Sequence, residues 1–129
     1  MPQFQRHFTV AEANALLPDL RTWIGELWRI DELIAPLADE HRELLMRAET
    51  HNVGGPQLRE FIQLSAQWRR IAMHIVEAGV QVKDLARGLC DFPHHRPDGE
   101  EVLLCWQVGE PIVAFWHSLD DGFSGRQPL

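Results

Sequence analysis

The sequence predicts an α+β fold: a long antiparallel helical hairpin, its first helix kinked at Pro18 and Pro36, then a small three-stranded antiparallel sheet and an irregular C-terminal tail. Three observations predict it. Apolar residues step by three and four from Leu16 to Ala48, and again from Leu58 to Ile75. A His51-Asn52-Val53-Gly54-Gly55-Pro56 segment separates the two runs and reads as a turn. After Gly79 the period changes from three-four to two, the spacing of strands.

Thr9-Val10-Ala11-Glu12 is a capping box with Phe8 placed as a hydrophobic staple, so the first helix starts near Thr9. Pro18 lacks an amide and predicts a kink or restart after about two turns. The seam is then Leu16, Leu20, Trp23, Leu27, Ile30, Ile34, Leu37, His41, Leu44 and Ala48, widened on one flank by Leu17, Ile24, Trp28, Ala35 and Leu45. Pro36 lies within it, and because the seam stays in phase the helix bends there without ending. The second helix carries Leu58, Phe61, Ser65, Trp68, Ala72 and Ile75, with Gly79 as its stop. At 1.5 Å per residue the second helix spans ~33 Å and the first region ~63 Å, so much of the first stripe outruns its partner. Either the sheet or a second copy of the chain covers the surplus. The second copy is favoured, which gives a homodimer through the first helix.

Strands are predicted at Leu89–Phe92, Val102–Val108 and Ile112–His117. Reading Gly109-Glu110 as a two-residue loop pairs Gln107 with Ile112, Cys105 with Ala114 and Val102 with His117. Leu103, Cys105, Ala114 and Trp116 then share one face; Val102, Leu104, Trp106, Val113, Phe115 and His117 share the other. Both faces are apolar, so the sheet must be covered twice. The tail, Asp120–Leu129, is too glycine-rich for a regular element and is expected to fold back over the rest.

With 129 residues, 45% hydrophobic and 24% charged, the chain suits one domain, residues 1–129, divided into a hairpin over 9–78 and a sheet with tail over 80–129. A net charge of -7 works against nucleic acid and anionic lipid. No signal peptide or membrane span is evident, and two cysteines make no disulfide framework, so a cytoplasmic location is expected.

Several C-terminal stretches are distinctive: Val82-Lys83-Asp84-Leu85, Gly88-Leu89-Cys90-Asp91-Phe92-Pro93, Leu104-Cys105-Trp106, Gly109-Glu110, Phe115-Trp116-His117 and Gly122-Phe123-Ser124-Gly125-Arg126-Gln127-Pro128-Leu129. With His7-Phe8-Thr9 and Glu12-Ala13-Asn14-Ala15-Leu16-Leu17-Pro18 at the start, they resemble a bacterial family catalogued as domain of unknown function 2203. The resemblance covers nearly the whole chain and implies no activity.

Candidate chemistry is sparse. His41 and His74 lack the Glu-x-x-His spacing of di-iron bundles, and His41 reads as a core or boundary residue. If Asp98-Gly99 is a two-residue turn, His95 opposes Val102, which opposes His117. Both histidines then share a face ~10 Å apart. With His94, Asp120 or Asp121, His95 and His117 form the candidate metal set for zinc or iron, although no cofactor is the default expectation. The same register puts Asp91 ~17 Å from His117, too far for a dyad. It makes Cys105 a diagonal neighbour of Cys90, and Cys105 reads as a small buried hydrophobe.

Arg126 in the glycine-rich tail is either a salt bridge to Asp84, Asp91 or Glu110, or the anchor of a small anionic ligand beside Trp106 or Trp116. Arg126, Glu110, Asp84, Trp106 and Trp116 are therefore the candidate ligand residues. The chain reads as a homodimeric binding or structural module. The alternative is a small metal-dependent or metabolite-binding enzyme with its site on the sheet face near His117, Glu110 and Arg126.

Overall fold

The structure, a computed structural model, describes residues 3–47 and 56–129, and within them all side chains except those of 40–47 and 57. The predicted turn over 51–55, the seam positions Leu44, Leu45 and Ala48, and the side chain of His41 lie outside that description. The order is α1 (Val10–Arg47), α2 (Pro56–Ala78), β1 (Gln81–Asp84), β2 (Leu89–His95), β3 (Glu101–Gln107), β4 (Phe115–His117) and β5 (Gln127–Pro128), with a 3₁₀ turn at Phe123–Gly125. The five strands form one antiparallel sheet in the order β1-β2-β3-β4-β5. Three predicted strands thus become five, because Val82-Lys83 and the tail each add an edge.

Contacts divide the chain into two compact units, Met1–Ile24 with Ile75–Leu129, and Gly25–His74. In the second unit, Asp31 and Ile34 of α1 and Ser65, Trp68 and Arg69 of α2 line one cleft, which places the helices side by side and antiparallel there. Leu27 and Ile30 are its buried apolar residues, while Leu33, Ile62 and Met73 stand exposed.

The first unit joins the start of α1, the end of α2 and the sheet. Thr9 and Glu12 cap α1 reciprocally: the Thr9 amide donates to Glu12 Oε1 at 2.9 Å, and the Glu12 amide to Thr9 Oγ1 at 3.0 Å. Phe8 is buried as the staple predicts and meets Phe92 edge-on at 5.3 Å. Pro18 neither stops nor restarts α1, which runs through it and through Pro36. Pro18 is exposed, and Leu17 and Leu20 are buried on either side of it. Packing therefore holds the helix across the missing amide bond.

At the other end, Gly79 has φ +90° and its amide donates to Val76 O, while the Val80 amide donates to Ile75 O. This is a Schellman stop, sealed by buried Ile75 and Val80. A side chain at Gly79 would also meet Arg6, its Cβ lying 3.0 Å from Arg6 Cδ.

The seam over this stretch is Ala13, Leu17, Leu20 and Ile24, all buried, with Leu16 and Trp23 half-buried. Of the expected seam, Leu20, Leu27 and Ile30 are buried, while Leu16 and Trp23 give way to the flanking Leu17 and Ile24. Ala13, Leu17, Leu20 and Ile24 are buried within a single chain, in the unit that contains the sheet. Asn14 Oδ1 accepts from the Val113 amide, Arg21 donates to the carbonyls of Glu110 and Pro111, and Arg21 lies 5.6 Å from the Trp106 ring. The sheet-bearing unit therefore buries the start of that stripe, up to Ile24, whereas Trp28 of the surplus is half-buried in the other unit.

Register decides the rest. The pairs are Leu103↔His117, Leu104↔Trp116 and Cys105↔Phe115, so the expected Cys105–Ala114 alignment slips by one. Seven residues, not two, connect β3 to β4. Pro111 explains the difference. In a two-residue hairpin it would have to return an amide bond to Val108, and it has no amide.

The β2–β3 ladder slips likewise, to Asp91↔Cys105, His94↔Val102 and His95↔Glu101. The Asp98-Gly99 turn closes through Arg96–Glu100 as part of a longer loop. Pro93 sits inside β2 at no cost to that ladder. Its carbonyl accepts from the Phe8 amide at 2.7 Å, so its missing N–H, which would point to the same side, faces away from β3.

A one-residue slip exchanges faces. The helix face carries Val82, Cys90, Phe92, His94, Val102, Leu104, Trp106 and Trp116. The tail face carries Leu89, Asp91, Pro93, His95, Glu101, Leu103, Cys105, Phe115 and His117. His117 and Phe115 have thus moved away from Trp106 to join Cys105.

Candidate functional site

The tail face holds the two buried polar side chains found among the described residues, Asp91 and His117, each 2% exposed. They lie two strands apart on one face, offset by two residues rather than the four that the expected register gave. That difference brings His117 Nε2 to 3.1 Å from Asp91 Oδ2, so the predicted ~17 Å separation is corrected to direct contact. His117 Nδ1 lies 2.8 Å from the Ser118 carbonyl. A carbonyl only accepts, so Nδ1 is the donor there, which leaves Nε2 turned to Asp91 Oδ2.

Cys105, paired with Asp91 across the ladder, completes the group: its Sγ, one Asp91 oxygen and one His117 nitrogen lie within 4.8 Å of one another, all three residues buried. Burial pushes the Cys105 thiol up to about 12, with the Asp91 charge acting the same way against a smaller opposing effect of Arg126. Asp91 Oδ1 is buried and has no hydrogen-bond partner. Such an atom is costly, and its presence in a folded protein needs a reason.

A cavity of about 330 Å³ opens beside this group. Leu89, Asp91, Leu103 and His117 form its floor, Lys83 one side, and Leu119–Phe123 of the tail its cover. Asp120 and Asp121 add two carboxylates to the rim, against one lysine. The tail is tightly folded on itself: at Gly125 a Cβ would come within 2.7 Å of Asp121 Cβ.

Arg126 holds the tail down. Its NH2 group donates to Glu110 Oε1 at 2.6 Å and to the Cys105 carbonyl at 3.1 Å, and its guanidinium lies over Phe115 at 4.1 Å and Phe123 at 4.5 Å. Burial alone would raise the Glu110 carboxyl, but the Arg126 hydrogen bond, the Gln107 amide and the Arg126 charge outweigh it and lower it. For Arg126, burial is likewise outweighed by Glu110, and its value rises.

Of the five candidate ligand residues, Arg126 and Glu110 are therefore spent on each other. Trp106 and Trp116 lie on the opposite face, where Trp106 Nε1 donates to the Glu110 carbonyl and Trp116 packs under Arg96 at 4.0 Å. Asp84 accepts from the Arg87 amide in the β1–β2 turn. These five do not form one cluster: Arg126 lies over Phe115 on the tail face, and the two tryptophans belong to the other face.

The three candidate metal histidines separate as well. His94 is on the helix face, with Nδ1 2.7 Å from the Phe8 carbonyl. His95 stacks on His7 at 3.9 Å, near Glu101. His117 lies with Asp91 and Cys105. The His7–His95–Glu101 group is internally satisfied: Glu101 accepts from the amides of Gln3 and Phe4 and pairs with His7 Nε2 at 2.5 Å. Burial would raise Glu101, but these partners lower it. Sequence reasoning missed both groups. Pro111 was the available signal for the first. Nothing local announces the second, which joins residues more than ninety apart.

A family described as uncharacterized conserved protein, domain of unknown function 2203, matches residues 6–129. The chain belongs to this family. No curated protein and no solved structure gives a significant match. In this member of the domain of unknown function 2203 family, the stretches that carried the resemblance converge in the fold. Gly88–Pro93 supplies Asp91, Leu104–Trp106 supplies Cys105, Phe115–His117 supplies His117, and the tail supplies the cover.

Proposed function

We propose that this protein is a binding module for a small, hydrogen-bond-donating or cationic ligand, seated in the tail-face cavity against Asp91 and His117. The observation that carries it is Asp91, a buried carboxylate with one unpartnered oxygen, among the residues that line a 330 Å³ cavity. A preformed concavity with a few convergent polar groups is the usual form of a small-molecule site. The charge balance sets the ligand class. Two rim carboxylates and Asp91 face one lysine among the lining residues; of the two arginines that lie over the lining Phe123, Arg87 and Arg126, the second is paired with Glu110. Of the two alternatives for Arg126, the salt bridge to Glu110 is the one formed here, which leaves the cavity without that cation as an anion anchor.

The test is an amide-resolved NMR screen of small amines, guanidines and neutral polar fragments against the full chain. Binding should shift the signals of Lys83, His117 and Gly122. Asp120→Lys with Asp121→Lys, both exposed positions, should weaken amines several-fold while the fold persists. A screen in which every hit lies elsewhere, or none exists, would overturn the proposal.

Homodimerisation is the weaker reading. It now rests on Leu33, Ile62 and Met73, exposed in the 25–74 unit, and not on the stripe that the sheet buries. A single-chain mass by light scattering at micromolar concentration would remove it.

A further inference from the structure

We infer that Asp91, Cys105 and His117 form a site for a divalent transition-metal ion, zinc or its close chemical relatives, with the fourth coordination position open to the tail-face cavity. The inference deepens the ligand reading by naming the cation, and rests on it only for what occupies that fourth position.

Four features of the cluster agree with this chemistry. The donor set is mixed thiol, imidazole and carboxylate, which suits a borderline-soft ion and not magnesium or calcium. Bonds of about 2.0–2.1 Å to nitrogen and oxygen place neighbouring ligand atoms about 3.3 Å apart in a tetrahedron. His117 Nε2 and Asp91 Oδ2 are 3.1 Å apart, and the whole trio lies within 4.8 Å, so closure asks for side-chain adjustment of about an ångström at the sulfur.

His117 is also already oriented as a ligand. A metal-bound histidine ordinarily donates its other ring N–H to a carbonyl or carboxylate, and Nδ1 meets the Ser118 carbonyl at 2.8 Å, leaving Nε2 turned to the cluster. Finally, a thiolate, a carboxylate and a neutral imidazole carry two negative charges between them. A divalent ion makes the buried group neutral, and it offers Asp91 a partner where Oδ1 has none.

The second cluster, His7–His95–Glu101, lacks that last feature. Both Glu101 oxygens already accept from amides or His7, and His95 is exposed. Three ligands with an open position is the arrangement of catalytic rather than structural zinc sites. The cavity lining, Asp120 and Asp121 included, is then what a metal-bound water or a ligand would meet.

The probe is cobalt(II), titrated into the untagged full chain after treatment with a chelator. One equivalent should give tetrahedral visible bands and a thiolate-to-cobalt charge-transfer band, and zinc should displace both. Cys105→Ser should abolish the charge-transfer band, and His117→Asn should weaken binding at least tenfold; His95→Asn should change neither. Circular dichroism of each variant separates lost binding from lost fold, and Cys90→Ser, on the other face, is the matched thiol control. No spectral change with folded wild-type protein, or a charge-transfer band that survives Cys105→Ser, overturns the metal site. If cobalt fails while amine fragments still occupy the cavity, the ligand reading stands alone. If cobalt binds as expected and no fragment enters, the metal site stands without it.

Discussion

The two faces of the sheet solve opposite problems. On the helix face, Phe92, Val102, Leu104 and Trp106 are fully buried, and Phe8 closes over Phe92. The Trp106 indole finds the Glu110 carbonyl, so nothing polar is left unmatched on that side chain. On the tail face an equally deep layer carries Asp91, Cys105 and His117, with one carboxylate oxygen unpartnered, under a short cover held by one arginine. A surface sealed by a long helix can be purely apolar and stable. A surface sealed by a ten-residue tail keeps a cavity and its chemistry. Within the sheet-bearing unit, the buried polar atoms left without a partner among the described residues, Asp91 Oδ1 and Arg126 Nε, both lie on the side where the cover is lightest.

Truncating the helix face should give the largest effect. Trp106→Ala removes a fully buried indole and its hydrogen bond, and should cost about 3–5 kcal/mol in urea unfolding. A cost below about 1 kcal/mol would mean that the helix face is not the core, and the contrast between the faces would fail.

The tail face should respond less. Arg126→Ala removes a charge-assisted hydrogen bond, one to the Cys105 carbonyl and two ring contacts, and should cost about 1–2 kcal/mol after allowance for partial exposure. The pH dependence follows from Glu110. Its folded value is lowered, so its stabilisation is complete above the ordinary carboxylate range and is lost as pH falls through the folded value. Glu110→Gln should therefore flatten part of the acid limb of stability against pH, leaving the neutral region shifted by a constant amount. An unchanged acid limb would show that the pair does not hold the tail in solution. A smaller effect again is expected at the cap that delivers Phe8 to the helix face. Thr9→Ala should cost about 1 kcal/mol by thermal or urea unfolding, since Glu12 loses its reciprocal partner.

How much of this was legible depended on range. The cap at Thr9, the staple at Phe8 and the stop at Gly79 follow from neighbours within a few residues, and the structure contains all three; the sheet is buried on both faces, but only the helix face is nearly free of polar side chains. The α1 seam holds at Leu20, Leu27 and Ile30 and differs at two positions, because Leu16-Leu17 and Trp23-Ile24 are adjacent apolar pairs, between which periodicity alone cannot choose. Only the docking of Asn14 and Arg21 on the 110–113 loop selects Leu17 and Ile24. The site failed for a sharper reason. His117 is a candidate metal ligand from the sequence, but two one-residue register errors, one in each ladder, together carry Asp91 out of its reach. Pro111 holds the correction to the β3–β4 ladder. The Glu110–Arg126 pair was foreseen as one of two alternatives, but its choice over a ligand role depends on both residues reaching the same edge of β3, which no spacing rule encodes.

The finest probe of the contrast is the pair of thiols, one on each face. Burial pushes Cys90 up to about 12, with the charges of Asp91 and Cys105 acting the same way, and Cys105 reaches about 12 as well. At pH 8 such a thiol is ionised in only about one molecule in ten thousand, so in the metal-free native protein neither should react with an alkylating reagent until the chain opens. The openings should differ. Cys90 lies under the helix face and should be released only by global unfolding, whereas Cys105 lies under the tail and should be released by local opening. Arg126→Ala should therefore speed alkylation of Cys105 well beyond what its loss of global stability explains, and leave Cys90 tracking global stability alone, as read by peptide mass spectrometry. Equal acceleration at both thiols would mean that the tail opens only with the whole domain, and that its lightness is a matter of area rather than of dynamics.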